Sequence, residues 1–152
     1  MKKILISLMV LFVSVAFAER AATPSQEVAL SHGVKQVTLA EAQALIGSGA
    51  VILDARKPID ISRGKLKGAV RATYTDKGGN KNKITDWDTS KDKYVKDNIP
   101  ADKSKAVVTY CNGPKCWKSY KLAVTLAKEG HTNVNWLRAG FPAWKDAGLP
   151  VE

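Results

Sequence analysis

Cys111 and Cys116 are the only cysteines of the 152-residue chain, and both fall in one short segment. A thiol attacks an electrophile or carries sulfur only as its thiolate, so a reactive cysteine needs surroundings that lower its pKa below about 8.5. In an oxidising compartment the pair could form a structural disulfide. A bridge that closes so short a loop removes little chain entropy, however, and stability is a poor reason to keep it. The pair therefore favours a chemical role over a structural one.

The residues around Cys111 predict a strand, a loop and a helix in succession. The β-branched run before Tyr110 predicts a buried strand that delivers Cys111 to the edge of a sheet, and a helix is expected to begin near Ser119. Loop N–H groups, the positive helix end and nearby lysines would stabilise a thiolate or a bound anion. We therefore expect Cys111 to be catalytic, with no metal and no cofactor. The candidate loop or substrate-binding residues are Asn112, Gly113, Pro114, Lys115, Cys116, Trp117, Lys118 and Ser119.

The histidines and the overall charge argue against two other functional classes. His32 lies in a leader predicted over residues 19–32, and His131 follows the helix predicted from Ser119 to Gly130. A protease-like Cys–His pair is therefore not expected. The formal net charge is +10, but the basic residues are scattered and no aromatic-basic recognition motif accompanies them. We expect a field that attracts small anions and no nucleic-acid partner.

The first residues have the pattern of a secretory signal peptide. Lys2 and Lys3 precede an apolar run over 4–17, and small residues close that run at Ala18. The run is shorter than the roughly 20 residues of a spanning helix. We therefore predict cleavage after Ala18, no stable membrane insertion afterwards, and a periplasmic location in a cell with an outer membrane. Residues 19–32 are expected to form a leader or a loosely docked first helix, followed by one domain over 33–152.

Short apolar runs alternate with amphipathic segments in the rest of the chain. This alternation predicts an α/β domain with a mainly parallel central sheet and helices on both faces. Strands are predicted at 35–37, Val51–Asp54, 106–110 and Val134–Leu137. Helices are predicted at 39–46 behind a Thr38/Glu41 capping box, from Ser119 to Gly130, and at 141–146.

The pattern breaks down between residues 68 and 100. Gly78, Gly79 and Asn80 among lysines predict a turn or mobile loop over 75–83, for which a surface insertion is favoured over a substrate lid. Trp87, Tyr94 and Ile99 are expected to anchor an irregular helix over the sheet.

Five stretches, taken in order, resemble the motifs of the rhodanese family of sulfurtransferases. They are the Asp-x-Arg of Asp54 and Arg56, the Gly-Lys-Leu-Lys-Gly-Ala turn at 64–69, the strand end Tyr110-Cys111, the helix with Ser119, and the closing signature at 137–144 and 148–151. The resemblance implies a three-layer rhodanese-like domain. It also implies that Cys111 takes a sulfane sulfur from thiosulfate, polysulfide or a persulfide, holds it as a persulfide, and passes it to a thiol or protein acceptor. Asp54 and Arg56 are interpreted as a structural salt bridge beneath the loop.

The sequence departs from the family pattern at the active loop. Ser119 lies eight positions after Cys111 instead of six, so the loop is larger, and Lys118 replaces an arginine. Lys65 stands where the family turn has histidine, which is expected to be scaffold. Cys116, followed by Trp117, would be a resolving thiol that releases sulfide and forms a disulfide with Cys111, or a buried small apolar residue.

Three alternative functions remain open from the sequence. The enlarged loop is compatible with a phosphatase or arsenate reductase, although Lys118 is a poor substitute for arginine. The cysteine pair is compatible with a thiol-disulfide redox module, and the lysine-rich surface with a non-catalytic domain that binds an acidic partner. The sequence identifies neither the sulfur donor and acceptor nor the oligomeric state.

Overall fold

The computed structural model of the protein describes residues 26–77 and 90–152. The predicted signal peptide, Trp87 and positions 78–83 of the predicted loop lie outside these residues. The helices are α1 (Gln26–Ser31), α2 (Leu39–Gly47), α3 (Pro58–Ile61), α4 (Trp117–Lys128) and α5 (Gly140–Asp146). The strands are β1 (Val34–Gln36), β2 (Val51–Asp54), β3 (Val70–Arg71), β4 (Tyr74–Thr75), β5 (Lys93–Tyr94), β6 (Val107–Tyr110) and β7 (Val134–Leu137).

A five-stranded parallel sheet forms the centre of the fold, with the strand order β1-β7-β6-β2-β3. Strands β6 and β7 are buried along their whole length, because helices cover both faces of the sheet. In β6 and β2 the register places Tyr110 opposite Asp54, so both strands end at the same edge. The predicted α/β architecture is confirmed, and all four predicted strands are present to within one residue.

Two hydrophobic clusters lie on opposite faces of the sheet and make the domain three-layered. One cluster joins α1 and α4 to the sheet through residues such as Ala29, Leu122 and Trp136. The other joins α2 and α5 through residues such as Ala42 and Trp144. In the part of the chain that the structure describes, no helix is long and apolar enough to cross a membrane.

The helix starts agree with the sequence where a capping side chain is present. The Thr38 hydroxyl accepts the Glu41 amide at 3.2 Å, and Glu41 Oε2 accepts the Thr38 amide at 2.8 Å, which confirms the capping box. Helix α4 begins at Trp117, two residues before the predicted start at Ser119. Cys116 is its N-cap and makes no side-chain capping bond, so no capping residue marked this start in the sequence.

The segment assigned to the leader contributes to the folded unit. Residues Gln26–Ser31 form α1, which packs against β1. Ala29 is fully buried in the cluster that also contains Trp136. The folded unit therefore includes a helix that precedes the predicted boundary at residue 33.

The expectation of an irregular helix around Tyr94 is wrong for the described residues. Strand β5 instead pairs antiparallel with β4, with Tyr94 opposite Tyr74. Their rings lie 6.4 Å apart and nearly parallel, and Tyr94 and Ile99 pack against the core beside α4. Cross-strand aromatic pairing on a small hairpin-like ladder provides the burial that we had expected from a helix.

A buried ion pair ties the end of β2 to the turn that follows α3. Arg56 Nη2 donates to Asp54 Oδ2 and to the Gly64 carbonyl, both at 2.7 Å, and the two side chains are 2% and 0% exposed. The Tyr110 hydroxyl donates to the same Asp54 oxygen. Burial, followed by the charge of Asp54, raises the pKa of Tyr110 far above its usual value, so this hydroxyl remains a donor. The pair thus fixes two strand ends at the edge where Cys111 follows.

Replacing one member of this pair is expected to destabilise the fold strongly. Arg56→Leu leaves the Asp54 carboxylate buried without its cation, and we expect a loss of about 3–5 kcal/mol in the free energy of unfolding, measured by urea denaturation. The double variant Arg56→Leu/Asp54→Asn removes the orphaned charge and should recover part of the loss. An Arg56→Leu protein as stable as the wild type would show that the pair does not hold this edge.

Candidate active site

Cys111 lies immediately after β6, at the edge formed by the carboxyl ends of the parallel strands. Ligands of open parallel sheets bind outside this edge. The Cys111 side chain is only 1% exposed, and its carbonyl accepts the Phe141 amide at 2.9 Å. The cysteine is therefore held between the end of β6 and the start of α5.

The turn into α5 supports the loop by direct backbone contact. Gly140 has φ +71°, and a Cβ atom at this position would lie 2.4 Å from the Cys111 carbonyl oxygen and 2.5 Å from the Gly113 amide nitrogen. Real Cβ atoms do not approach other atoms so closely, so only glycine fits here. Gly113 is itself buried and has φ +123°. The loop conformation therefore depends on two glycines that meet backbone to backbone.

The predicted loop residues differ in exposure: Gly113 is buried and Cys116 is partly exposed, whereas the others up to Lys115 face solvent. The Gly113 carbonyl accepts the Cys116 amide at 3.0 Å and closes a tight turn. Asn112, Pro114 and Lys115 are exposed, and the Asn112 amide group donates to Asp60 Oδ2 at 3.3 Å. The outer surface of the loop thus carries the polar and cationic groups.

A disulfide joins Cys111 and Cys116, with a Cα–Cα distance of 6.1 Å. In this state neither sulfur is a thiolate, so a nucleophilic reaction of Cys111 requires prior two-electron reduction of the pair. The two sulfurs differ in accessibility, because Cys111 is buried whereas Cys116 is partly exposed. The partner of Cys111 is also the N-cap of α4, where helix N–H groups without intrahelical partners favour negative charge.

Ser119 anchors the helix and is not a lining residue of the loop. Its side chain is 1% exposed, and its hydroxyl accepts the Trp136 indole N–H at 3.0 Å. Its carbonyl accepts the Thr109 hydroxyl at 3.1 Å. Because α4 starts two residues earlier than predicted, Ser119 lies on the face that packs on β6 and β7. The structure gives this side chain a structural contact, and the substrate-binding role expected for it stays a prediction.

A cavity of about 480 Å³ lies beside the loop. Cys116 forms part of its wall, and Cys111 does not. Sequence reasoning missed five of the nine lining residues, because Lys57 follows β2, Asp76 and the two residues before it lie in and after β4, and Lys121 lies within α4. Only the spacing of Lys118 and Lys121 by one helical turn hinted at a shared face. The lining residues are Lys57, Tyr74, Thr75, Asp76, Lys115, Cys116, Trp117, Lys118 and Lys121.

The cavity is positively charged and partly desolvated. Lys121 is fully buried and forms an ion pair with Asp76. Burial, and then the nearby charge of Lys57, lower the pKa of Lys118, while Asp60 opposes the shift. Two lysines that repel each other at a wall of the cavity create a site that an anion would stabilise. Among the described residues, no cluster of three His, Cys, Asp or Glu side chains is placed to hold a metal ion.

A scan against family models matches the rhodanese-like domain over residues 38–147. The chain belongs to the rhodanese-like domain family. The matched range includes both cysteines and extends from the capping box of α2 to the end of α5. A search of the curated proteins gave no match.

Solved structures share this rhodanese-like fold. A Rhodopseudomonas palustris protein of unknown function, named a possible tyrosine phosphatase, is 28% identical with a TM-score of 0.54, covering 86% of this chain and 96% of its own. A thiosulfate sulfurtransferase from Pseudomonas aeruginosa is 23% identical with a TM-score of 0.57, covering 84% of this chain and 22% of its own. The homodimeric polysulfide-sulfur transferase of Wolinella succinogenes is 18% identical with a TM-score of 0.55, covering 83% and 84%.

The close approach of Gly140 to the loop generates a prediction with an internal control. Gly148 has nearly the same φ, +68°, but no atom lies within 4 Å of the point that a Cβ would occupy there. Gly148→Ala should therefore lower the free energy of unfolding by only roughly 1 kcal/mol, the cost of the left-handed backbone for a residue with a Cβ. Gly140→Ala should lower the free energy of unfolding by about 1–3 kcal/mol more, because the loop backbone must move. Urea denaturation of both variants tests this, and equal losses would contradict the contact.

Proposed function

We propose that the protein is an exported sulfurtransferase or sulfur carrier that takes a sulfane sulfur onto Cys111. The observation that carries the proposal is the position of Cys111 in a rhodanese-like domain, directly after β6, in a loop closed by Gly113 and Gly140. Backbone N–H groups of such a loop and the first turn of α4 favour an anionic sulfur at this point.

The proposed uptake step is a displacement at sulfur. In the reduced protein the Cys111 thiolate attacks the outer sulfur of thiosulfate or a terminal sulfur of polysulfide. The donor S–S bond breaks, and sulfite or the shortened polysulfide leaves with the electron pair. A thiolate acceptor then attacks the outer sulfur of the Cys111 persulfide and regenerates the Cys111 thiolate. Lys115 and Lys118 would favour the approach of an anionic donor, although lysine lacks the planar fork of arginine.

Cys116 provides a second reaction by which the Cys111 persulfide can be consumed. Its thiolate can attack the inner sulfur of the Cys111 persulfide, so that hydrosulfide leaves and the Cys111–Cys116 disulfide forms. The disulfide in the structure joins the same two sulfurs that this step would join, which supports a resolving role for Cys116. It also protects Cys111 from irreversible oxidation in an oxidising compartment.

The proposal places the protein in the periplasm. The signal-peptide pattern of residues 1–18 supports this location. The small anionic donors named for two structural neighbours, thiosulfate and polysulfide, are the donor classes that we propose here. N-terminal sequencing of the exported protein should begin at Glu19.

A thiol-disulfide redox module is the second candidate, and the disulfide itself favours it. In that function the pair would exchange electrons without carrying sulfur. We do not propose the phosphatase activity suggested by the name of the Rhodopseudomonas protein, because Lys118 stands where an arginine would chelate a tetrahedral anion.

Sulfur uptake separates the two candidates. The protein is reduced, freed of reductant, incubated with thiosulfate or polysulfide and analysed by intact mass and peptide mapping. We expect a gain of one sulfur atom on Cys111. Cys111→Ser should gain none, and Cys116→Ser should hold the sulfur longer than the wild type because no thiol resolves it.

Absence of sulfur gain in both the wild type and Cys116→Ser would reject the carrier function. A gain confined to Cys116 would reject the assignment of Cys111. Turnover of an aryl phosphate that is lost in Cys111→Ser would instead support the phosphatase class.

A further inference from the structure

We propose that the cavity beside the loop binds an anionic thiol of peptide size, whose sulfur opens the disulfide by attack at Cys116. The thiol would be an acidic one that carries carboxylates, and the reaction would release Cys111 as a thiolate. This inference rests on the proposed function in one respect, since the freed Cys111 is the sulfur acceptor proposed above.

The accessibility of the two sulfurs selects the point of attack. Cys111 is 1% exposed and lies under the backbone of Gly140. Cys116 is partly exposed and forms part of the cavity wall. Thiol-disulfide exchange depends on which sulfur the nucleophile can reach. A thiolate in the cavity therefore meets Cys116 first.

The leaving group favours the same direction. Exchange is faster when the departing thiol is more acidic. Attack at Cys116 expels Cys111, whose thiolate would remain in the loop closed by Gly113 and Gly140, near the start of α4. Attack at Cys111 would require an opening of that loop.

The size and walls of the cavity fit an organic ligand better than a small inorganic anion. A volume of about 480 Å³ falls in the range of pockets that hold organic molecules. Tyr74 and Trp117 provide aromatic walls. The Trp117 ring is held edge-on against Tyr120 at 6.2 Å, and the Tyr74 hydroxyl donates to Asp92 at 2.9 Å. Both walls are therefore positioned by further contacts.

The charges around the cavity select an anion. Among the lining residues that the structure describes, Lys57, Lys115, Lys118 and Lys121 are cations, and Asp76, which pairs with Lys121, is the one carboxylate. Burial and the charge of Lys57 lower the pKa of Lys118, and a carboxylate in the cavity would relieve that repulsion. Asp60 lies near Lys118 and opposes this lowering of its pKa.

The proposed exchange balances in two steps. The first thiol loses its proton to solvent, and its thiolate forms a bond to Cys116 Sγ while the Cys116–Cys111 bond breaks and Cys111 takes the electron pair. A second thiolate then attacks the ligand sulfur of the mixed disulfide. The ligand leaves as its own disulfide, and Cys116 becomes a thiolate. The pair is reduced by two electrons, and two thiols are oxidised.

The first test compares thiols of different charge on the purified disulfide form of the protein. Glutathione serves as the acidic peptide thiol, 2-mercaptoethanol as the neutral one and cysteamine as the cationic one. Each rate is divided by the rate of the same thiol with the neutral disulfide of 2-mercaptoethanol, which removes intrinsic reactivity. Iodoacetamide traps the released thiolate, and peptide mapping locates both modifications.

We expect the normalised rate to fall from glutathione to 2-mercaptoethanol to cysteamine. The spread should shrink at high salt, because salt screens charges. The glutathione adduct should map to Cys116 and the alkyl group to Cys111. An adduct on Cys111, or equal normalised rates for the three thiols, would overturn the proposal.

A pair of matched variants tests the role of the cavity lysines. Lys57→Gln removes an exposed cavity lysine, and Lys145→Gln removes an exposed lysine at the end of α5, outside the cavity lining. Lys57→Gln should lower the glutathione rate about threefold more than the 2-mercaptoethanol rate, the size of one Coulomb interaction over roughly 6 Å in water, because both thiols attack as thiolates but only glutathione brings carboxylates. Equal effects of the two variants would contradict a bound thiol.

The outcome is separable from that of the proposed function. If the reduced protein gains sulfur on Cys111 but the disulfide form shows no preference for glutathione, the carrier function stands and this inference is rejected. Selective opening at Cys116 without any sulfur gain on Cys111 keeps this inference and leaves the redox module as the function.

Discussion

The contact of Gly140 with the loop is the constraint on which the site depends. The backbone of Gly140 touches the Cys111 carbonyl and Gly113 at distances that exclude any side chain. This contact fixes the loop against the start of α5, so the position of Cys111 is set by the surrounding fold and not by the loop alone. A loop whose backbone is held by the fold can direct its peptide dipoles at the Cys111 sulfur, and it need not reorganise when negative charge develops there.

Buried polar contacts stabilise the sheet edge at Cys111 both on the side of α5 and on the side of α4. Asp54 and Arg56, with the Tyr110 hydroxyl, fix the strand ends on the α5 side. On the α4 side, Ser119 receives bonds from Thr109 and Trp136. Buried polar groups are costly unless they are satisfied, so a fully bonded set specifies one geometry for the strand ends and the first turn of α4.

The sequence predicted the sheet and its layers because apolar runs and capping residues are local signals. The strand before Cys111, the capping box at Thr38 and the order of strands and helices could all be inferred from neighbouring residues. The pairing of β4 with β5, the burial of Ser119 and the cavity could not, since each depends on residues far apart in the chain. Lys57, Asp76 and Lys121 meet only because β2, the end of β4 and α4 converge. The start of α4 at Trp117 was missed because Cys116 makes no side-chain capping bond.

The acidity of the Cys111 thiol tests the central claim most directly. The rate of alkylation of Cys111 by iodoacetamide can be measured against pH in the reduced Cys116→Ser protein, where only one thiol reacts. We predict a midpoint clearly below the value of about 8.5 for a free cysteine, because the loop and the start of α4 stabilise the thiolate. A midpoint at or above that value would contradict the claim that this loop activates its cysteine.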